Sequence, residues 1–261
     1  MDWHIVLIGT LASFIAGFST SLGAIPVFFR KSLSSRSLDL LLGFAAGVML
    51  AASAFSLIIP ALELEVGGGV WIVSGGVLVG AIFIAVIDKW APHQHFVKGP
   101  EGIMTKKLAT VWLFVIAITI HNFPEGLAVG VSFGSANISA GLIVAIAIGL
   151  QNIPEGTAVA MPLLKENYSK KQAFFIAMAT GLVEPIGALI GVTLVSFASF
   201  FLGFGMAFAA GAMIFVVVDE IIPETHTKEH ARAVTFGIII GFVVMMFLDN
   251  FIEPFIAQFF S

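Results

Sequence analysis

Eight apolar runs, each long enough to cross a hydrocarbon layer, leave this chain almost nothing with which to build a water-soluble body. They read approximately as 3–29, 38–62, 70–90, 108–133, 140–164, 172–202, 206–223 and 233–255, and a membrane-crossing helix needs roughly 20 apolar residues. Composition agrees: 59% of residues are hydrophobic and 11% charged, with a mean hydropathy of +1.06, far from the range of soluble globular chains. The expected fold is all-α and integral to the membrane, with eight transmembrane helices forming one domain over 1–261.

The first run, "MDWHIVLIGTLASFIAG", lacks the basic stretch of a secretory signal and continues into a full span, so it is expected to stay in place. Cysteine is absent. That removes disulfides and thiolate ligands together, and makes thiolate-loving metals such as copper less suitable.

All 12 Lys and Arg fall in alternate connections. Arg30, Lys31 and Arg36 mark the first, Lys89, Lys98, Lys106 and Lys107 the third, Lys165, Lys170 and Lys171 the fifth, and Lys228 and Arg232 the seventh. The intervening connections "ELEVGGG", "GSANIS" and "ASFFLGFG" carry none. A miscounted span would scatter these charges over both faces. By the positive-inside rule the basic side is cytoplasmic, so both termini are expected to be extracytoplasmic.

Two words recur. "HNFPEGLAVG" from His121 returns as "QNIPEGTAVA" from Gln151 in the next span, and "FAAGVM" in span 2 returns as "FAAGAM" in span 7, each followed by "IIP". Both pairs run in opposite directions through the bilayer. They predict an inverted repeat in a 3+2+3 arrangement, the architecture by which many carriers place a site at the midplane.

Seven polar residues sit mid-span: His121, Asn122 and Glu125 in span 4, Gln151, Asn152 and Glu155 in span 5, and Glu184 in span 6. Residues three and four apart share a helix face, so His121 and Asn122 lie with Glu125, and Gln151 and Asn152 with Glu155. Pro124 and Pro154 remove a backbone donor beside them, and Gly126 and Gly156 allow close approach. No Lys or Arg occurs in the interior of a span, so protons or cations must balance the three glutamates. Imidazole with carboxylates suits zinc best and also iron, manganese or cadmium. One divalent ion leaves about one negative charge on the three glutamates and two leave about one positive, so counting alone permits either. Asn122, Gln151 and Asn152 also read as interhelical hydrogen-bonding residues, and Met49 in span 2 as ordinary packing.

A second set gathers toward the basic side: Asp88, His93 and His95, Asp219, Glu220 and Glu224, His226 and His230. It reads either as a solvated surface or as a cation exit. At the opposite end of span 8, Asp249, Asn250 and Glu253 read as an acidic entrance or a wetted helix end.

The paired "HNFPEG" and "QNIPEG" in adjacent mid-chain spans resemble the ZIP (Zrt- and Irt-like) family of metal-ion transporters, and among them the GufA-like prokaryotic subgroup. The resemblance covers essentially the whole chain. It implies import of divalent transition metals, typically zinc, through a site built from spans 2, 4, 5 and 6. By position it places a first metal among Met49, His121, Glu125, Gln151 and Glu155, and a second among Asn122, Asn152, Glu155 and Glu184, with Glu155 bridging. It assigns Asp88, His93, Glu220 and His230 to cytoplasmic release or regulation. Some relatives carry aspartate where Asn152 stands, so the second site here has the weaker charge.

The expected protein is therefore a divalent-metal transporter of the inner cell membrane, working by alternating access, not an enzyme and without a cofactor. Zn2+ is the expected cargo, with Cd2+, Fe2+ and Mn2+ sharing its ligand chemistry. Membrane lipid is its other partner, a homodimer is permitted, and no nucleic acid is expected. Two alternatives stand beside this reading. An intramembrane zinc hydrolase would also use His and Glu on neighbouring spans; an organic-cation carrier is disfavoured because the glutamates lack an aromatic cage.

Overall fold

Each apolar run forms a helix, some of them with an irregular turn ahead of a proline. The computed structural model describes residues 2–30, 33–64, 68–90, 93–95, 99–101, 110–135, 137–197, 201–225 and 229–259. Lys31, Lys98, Lys106, Lys107, His226 and Lys228 lie outside the described residues. The helices are α1 (Trp3–Phe28), α2 (Ser35–Glu63), α3 (Val70–Trp90), α4 (Thr110–Gly134), α5 (Ile138–Lys165), α6 (Lys170–Phe197), α7 (Leu202–Ile221) and α8 (Ala231–Ala257). All eight are long and apolar enough to cross a membrane. Two three-residue strands, β1 (His93–His95) and β2 (Gly99–Glu101), pair antiparallel between α3 and α4, with His93 opposite Glu101.

The helix ends differ from the hydropathy reading by up to five residues, and only 70–90 is matched at both ends. Ser169 and Gln172 form a reciprocal cap, so α6 begins at Lys170. The stretch from Leu202, which hydropathy joins to span 7 only at Met206, is already helical. Its Leu-Gly-Phe-Gly run offers no polar break by which the sequence could mark the start.

Irregular turns lie just ahead of prolines. Wide π turns at Ala52–Ile58 in α2, Val217–Ile221 in α7 and Leu248–Ile252 in α8 each end two residues before a proline, at Pro60, Pro223 and Pro254. A proline lacks the amide hydrogen and crowds the carbonyl four residues back, and one extra residue in the turn relieves both. In α6 the helix tightens at Leu182 and Val183 and restarts at Glu184, ahead of Pro185. By contrast α4 and α5 run unbroken through Pro124 and Pro154.

Packing repeats with inverted order. The most extensive helix pairs are α2 with α8, α4 with α6, α3 with α7 and α1 with α5. Exchanging spans 1–3 with 6–8 and span 4 with 5 maps this set onto itself. Individual glycines obey the same exchange. A Cβ on Gly241 would collide with the Phe44 carbonyl, and one on Gly80 with the Phe208 carbonyl; Phe44 and Phe208 are the first residues of the two "FAAG" words. Gly17 and Gly181, also 164 residues apart, each approach the other's carbonyl and so mark the crossing of α1 and α6 on the pseudo-twofold axis. The result is two four-helix groups, α1/α4/α5/α6 and α2/α3/α7/α8, joined chiefly where α2 meets α5 and α4 meets α7.

Candidate metal centre

The polar residues of the two repeated words lie in the first group, and its close helix packing buries them. Gly126 seats α4 against the Glu184 carbonyl of α6, and Gly156 seats α5 against the Thr20 carbonyl of α1; any side chain there would collide. His121, Asn122, Glu125, Gln151, Asn152, Glu155 and Glu184 are all buried, none more than 5% exposed.

Their hydrogen bonds join the helices in pairs. Gln151 Nε2 donates to Glu125 Oε1 at 2.7 Å, linking α5 to α4. Asn152 Nδ2 donates to Glu184 Oε1 at 2.7 Å and to the Ala16 carbonyl at 2.8 Å, linking α5 to α6 and α1. Glu184 opens the second half of α6, where the helix N-terminus favours a carboxylate. Other acceptors have no hydrogen-bond partner: Glu125 Oε2, both oxygens of Glu155, Glu184 Oε2, Gln151 Oε1, Asn152 Oδ1 and Asn122 Oδ1. Seven buried oxygens with no donor form an acceptor-rich centre, where buried polar atoms are ordinarily paired.

His121 departs from its expected neighbour. Sequence spacing places it beside Glu125, whereas its Nε2 is hydrogen-bonded to Glu220 Oε2, on the π turn of α7 in the other helix group. This contact ties the mid-span set to the set expected nearer the basic side. In this arrangement no three His, Asp or Glu side chains among the described residues gather round one point. Glu125 and Glu184 are each held by an amide, Glu155 by none, and the imidazole is turned toward α7. Met49 is fully buried in α2, and its carbonyl accepts from Ser53 Oγ at 2.8 Å.

Of the second set, Asp88 and Glu220 are buried and Asp219 is half-buried. His93 and His95 lie in β1, and Glu224 lies in the helical turn that continues α7. His230 is engaged elsewhere: its Nδ1 meets Asp39 Oδ2 at 2.8 Å, so the starts of α8 and α2 are clasped together. Asp39 gave no signal in the sequence beyond a charge at a helix start. Toward the α4–α5 connection, Ser56 Oγ donates to Asp249 Oδ1 at 2.6 Å, and both line a cavity of about 380 Å³ with Ser132, Ser135 and Asn137. Asn250 bonds back to its own helix through the Met246 carbonyl. Glu253 begins the last turn of α8.

Sequence reading missed α1. Its stripe of Ser13, Ala16, Gly17 and Thr20 packs into the centre, and the Ser13 and Thr20 hydroxyls are buried without partners. The i, i+3, i+4, i+7 spacing of small residues is the signal that would have found it.

A ZIP zinc transporter family model matches residues 98–249. The chain belongs to the ZIP zinc transporter family. Zinc transporter GufA of Myxococcus xanthus is 45% identical over 224 residues, spanning 84% of this chain and 88% of that protein. Zinc transporter ZIPB of Bordetella bronchiseptica is 43% identical, covering 81% and 71%. Human zinc transporter ZIP11 is 34% identical, covering 82% and 88%. This ZIP-family chain is thus a multi-pass membrane transporter rather than an enzyme, and the hydrolase alternative falls.

Proposed function

We propose that this protein moves zinc toward the cytoplasm by alternating access, through a centre formed by α2, α4, α5 and α6, with both termini extracytoplasmic in the inner cell membrane. The observation that carries the reading is the set of seven unpartnered acceptor oxygens on three adjacent helices. A charge at the centre of a lone membrane helix costs roughly 2.5 to 3.5 kcal/mol on insertion scales. Three buried glutamates, with no Lys or Arg on their helices' interior, call for a cation. Zinc is chosen because imidazole and carboxylate suit it and because the relatives are named zinc transporters.

Met49, His121, Glu125, Gln151 and Glu155 hold the transported metal, and Glu155 also reaches a second position with Asn122, Asn152 and Glu184. The ion sheds water, is taken up by these ligands, and passes from His121 toward Glu220 and Asp88. His93 and His230 act on the cytoplasmic side in regulation. Lipid surrounds the bundle, and two copies are permitted to associate. The two helix groups supply the moving bodies, because packing is closest within each and thinner between them.

The test is zinc uptake into proteoliposomes. Glu155→Ala and His121→Ala should each lower uptake at least about tenfold, with the protein still monodisperse. Wild-type rates in both variants would remove the proposed centre.

A further inference from the structure

The basic side of the molecule is not uniformly basic. In the second helix group each described cation stands by an acid: Arg36 precedes Asp39 by three residues at the start of α2, Lys89 follows Asp88 at the end of α3, and Arg232 follows Glu229 by three at the start of α8. In the first group the ends of α1 and α5 and the start of α6 carry Arg30, Lys165, Lys170 and Lys171, and among the described residues there the one acid is Glu166, beside Lys165. Positive charge is therefore concentrated on the first group.

Three of these cations gather where α1 ends and α6 begins. The Ile25–Phe28 turn that closes α1 packs against the first half of α6, with the Phe28 and Phe174 rings 5.4 Å apart. Lys170 Nζ donates to the Phe28 carbonyl at 2.8 Å, so its charge answers the negative end of the α1 dipole. Arg30 leaves the same turn, its amide bonded to the Pro26 carbonyl at 2.9 Å, and Lys171 is the next residue along α6. Arg30 and Lys171 are exposed and form no ion pair among the described residues.

Aromatic residues set the depth of this junction. Trp112, near the start of α4, donates its indole hydrogen to the Tyr168 hydroxyl at 2.7 Å, just ahead of α6. Trp and Tyr collect where hydrocarbon meets headgroups. Phe29, immediately before Arg30, is 81% exposed, and Phe175, one turn after Lys171, is 56% exposed. A soluble anion would use the two charges and leave both phenyl rings in water, whereas a phospholipid meets charge with phosphate and rings with acyl chain. We infer that the α1–α6 junction binds an anionic phospholipid, with Arg30 and Lys171 on its phosphate and Phe29 and Phe175 against its chains. The second helix group has no equivalent among its described residues, because an acid stands by each of its cations.

The experiment supplies the purified full chain with equal amounts of phosphatidylglycerol and phosphatidylcholine and counts the lipid retained per chain by native mass spectrometry. Phosphatidylglycerol should be retained in preference. Each basic residue at a membrane surface contributes about fivefold in affinity for anionic lipid, so Arg30→Gln/Lys171→Gln should weaken that retention at least about tenfold. Arg30→Lys/Lys171→Arg should keep it, as should Arg36→Gln/Arg232→Gln, which removes the same charge from the second group. Equal retention by the wild type and Arg30→Gln/Lys171→Gln would overturn the inference, and so would an equal loss in Arg36→Gln/Arg232→Gln. Displacement of the lipid by an equal concentration of inorganic phosphate would also overturn it, making the junction a site for soluble anions. The count reads lipid and not zinc, so its outcome is separate from that of the transport reading.

Discussion

Asn152 spends its amide nitrogen on the Ala16 carbonyl and on Glu184, and keeps only its oxygen for a ligand. Replacing it with aspartate adds the charge that a second divalent ion would need. Asn152→Asp should therefore raise the zinc bound per chain by elemental analysis, and an unchanged ratio would contradict the weaker charge assigned to the second position. Glu220 acts differently, because it holds His121 from the other helix group. Glu220→Gln weakens that charge-assisted bond; uptake should fall several-fold while zinc binding at equilibrium is kept, and parallel loss of both would make Glu220 a structural residue only. Side-chain identity in the repeated words was enough to name most of the buried polar residues of the candidate centre. The His121–Glu220 contact was hidden because 99 residues separate the partners. Thr20 was hidden because a hydroxyl in an apolar helix reads as filler until its neighbours are known.

At the level of helices, the eight runs were legible because hydropathy reports the medium directly. The sites of irregularity were less so: a proline announces a disturbance without saying whether the helix kinks, widens or breaks. Pro124 leaves α4 continuous, Pro60 follows a π turn, and Pro185 follows a restart. Ser56, Glu220 and Asp249 all sit on π turns, the type of irregularity often found at functional positions. Helix contacts within a group depend on absent side chains. A Cβ on Gly47 would collide with the Ile238 carbonyl and one on Gly211 with the Val77 carbonyl, whereas Gly75 meets nothing within 4 Å. Gly47→Ala and Gly211→Ala should each destabilise by about 1–3 kcal/mol, and Gly75→Ala should be neutral. Fluorescence-detected gel filtration after heating reads all three, and equal melting of Gly47→Ala and Gly75→Ala would refute the close α2–α8 contact.

Across the whole molecule, the order of charged connections and the recurring words exposed the inverted repeat, but the division into two groups required knowing which helices touch. Relative motion of those groups is open to a crosslink test, since the chain has no cysteine of its own. A Cβ on Gly205 would lie 3.5 Å from the Val131 side chain across the α4–α7 boundary, and one on Gly134 2.8 Å from Val195 Cβ within the α4–α6 pair. A Val131→Cys/Gly205→Cys disulfide should arrest zinc flux until reduced, and a Gly134→Cys/Val195→Cys disulfide should leave it running. Equal flux through both oxidised variants would exclude sliding at that boundary. The Gly17–Gly181 crossing carries a further consequence. Because it sits on the axis, each half of the chain is a template for the other's conformation, and under the alternating access proposed above exchanging the two templates would generate the oppositely facing form. There the contact made by His121 with Glu220 would pass to their sequence counterparts Gln151 and Ser56, so an imidazole–carboxylate latch at one end of the proposed cycle would be answered by a neutral one at the other. The resting preference of the empty protein would thereby be written into four side chains.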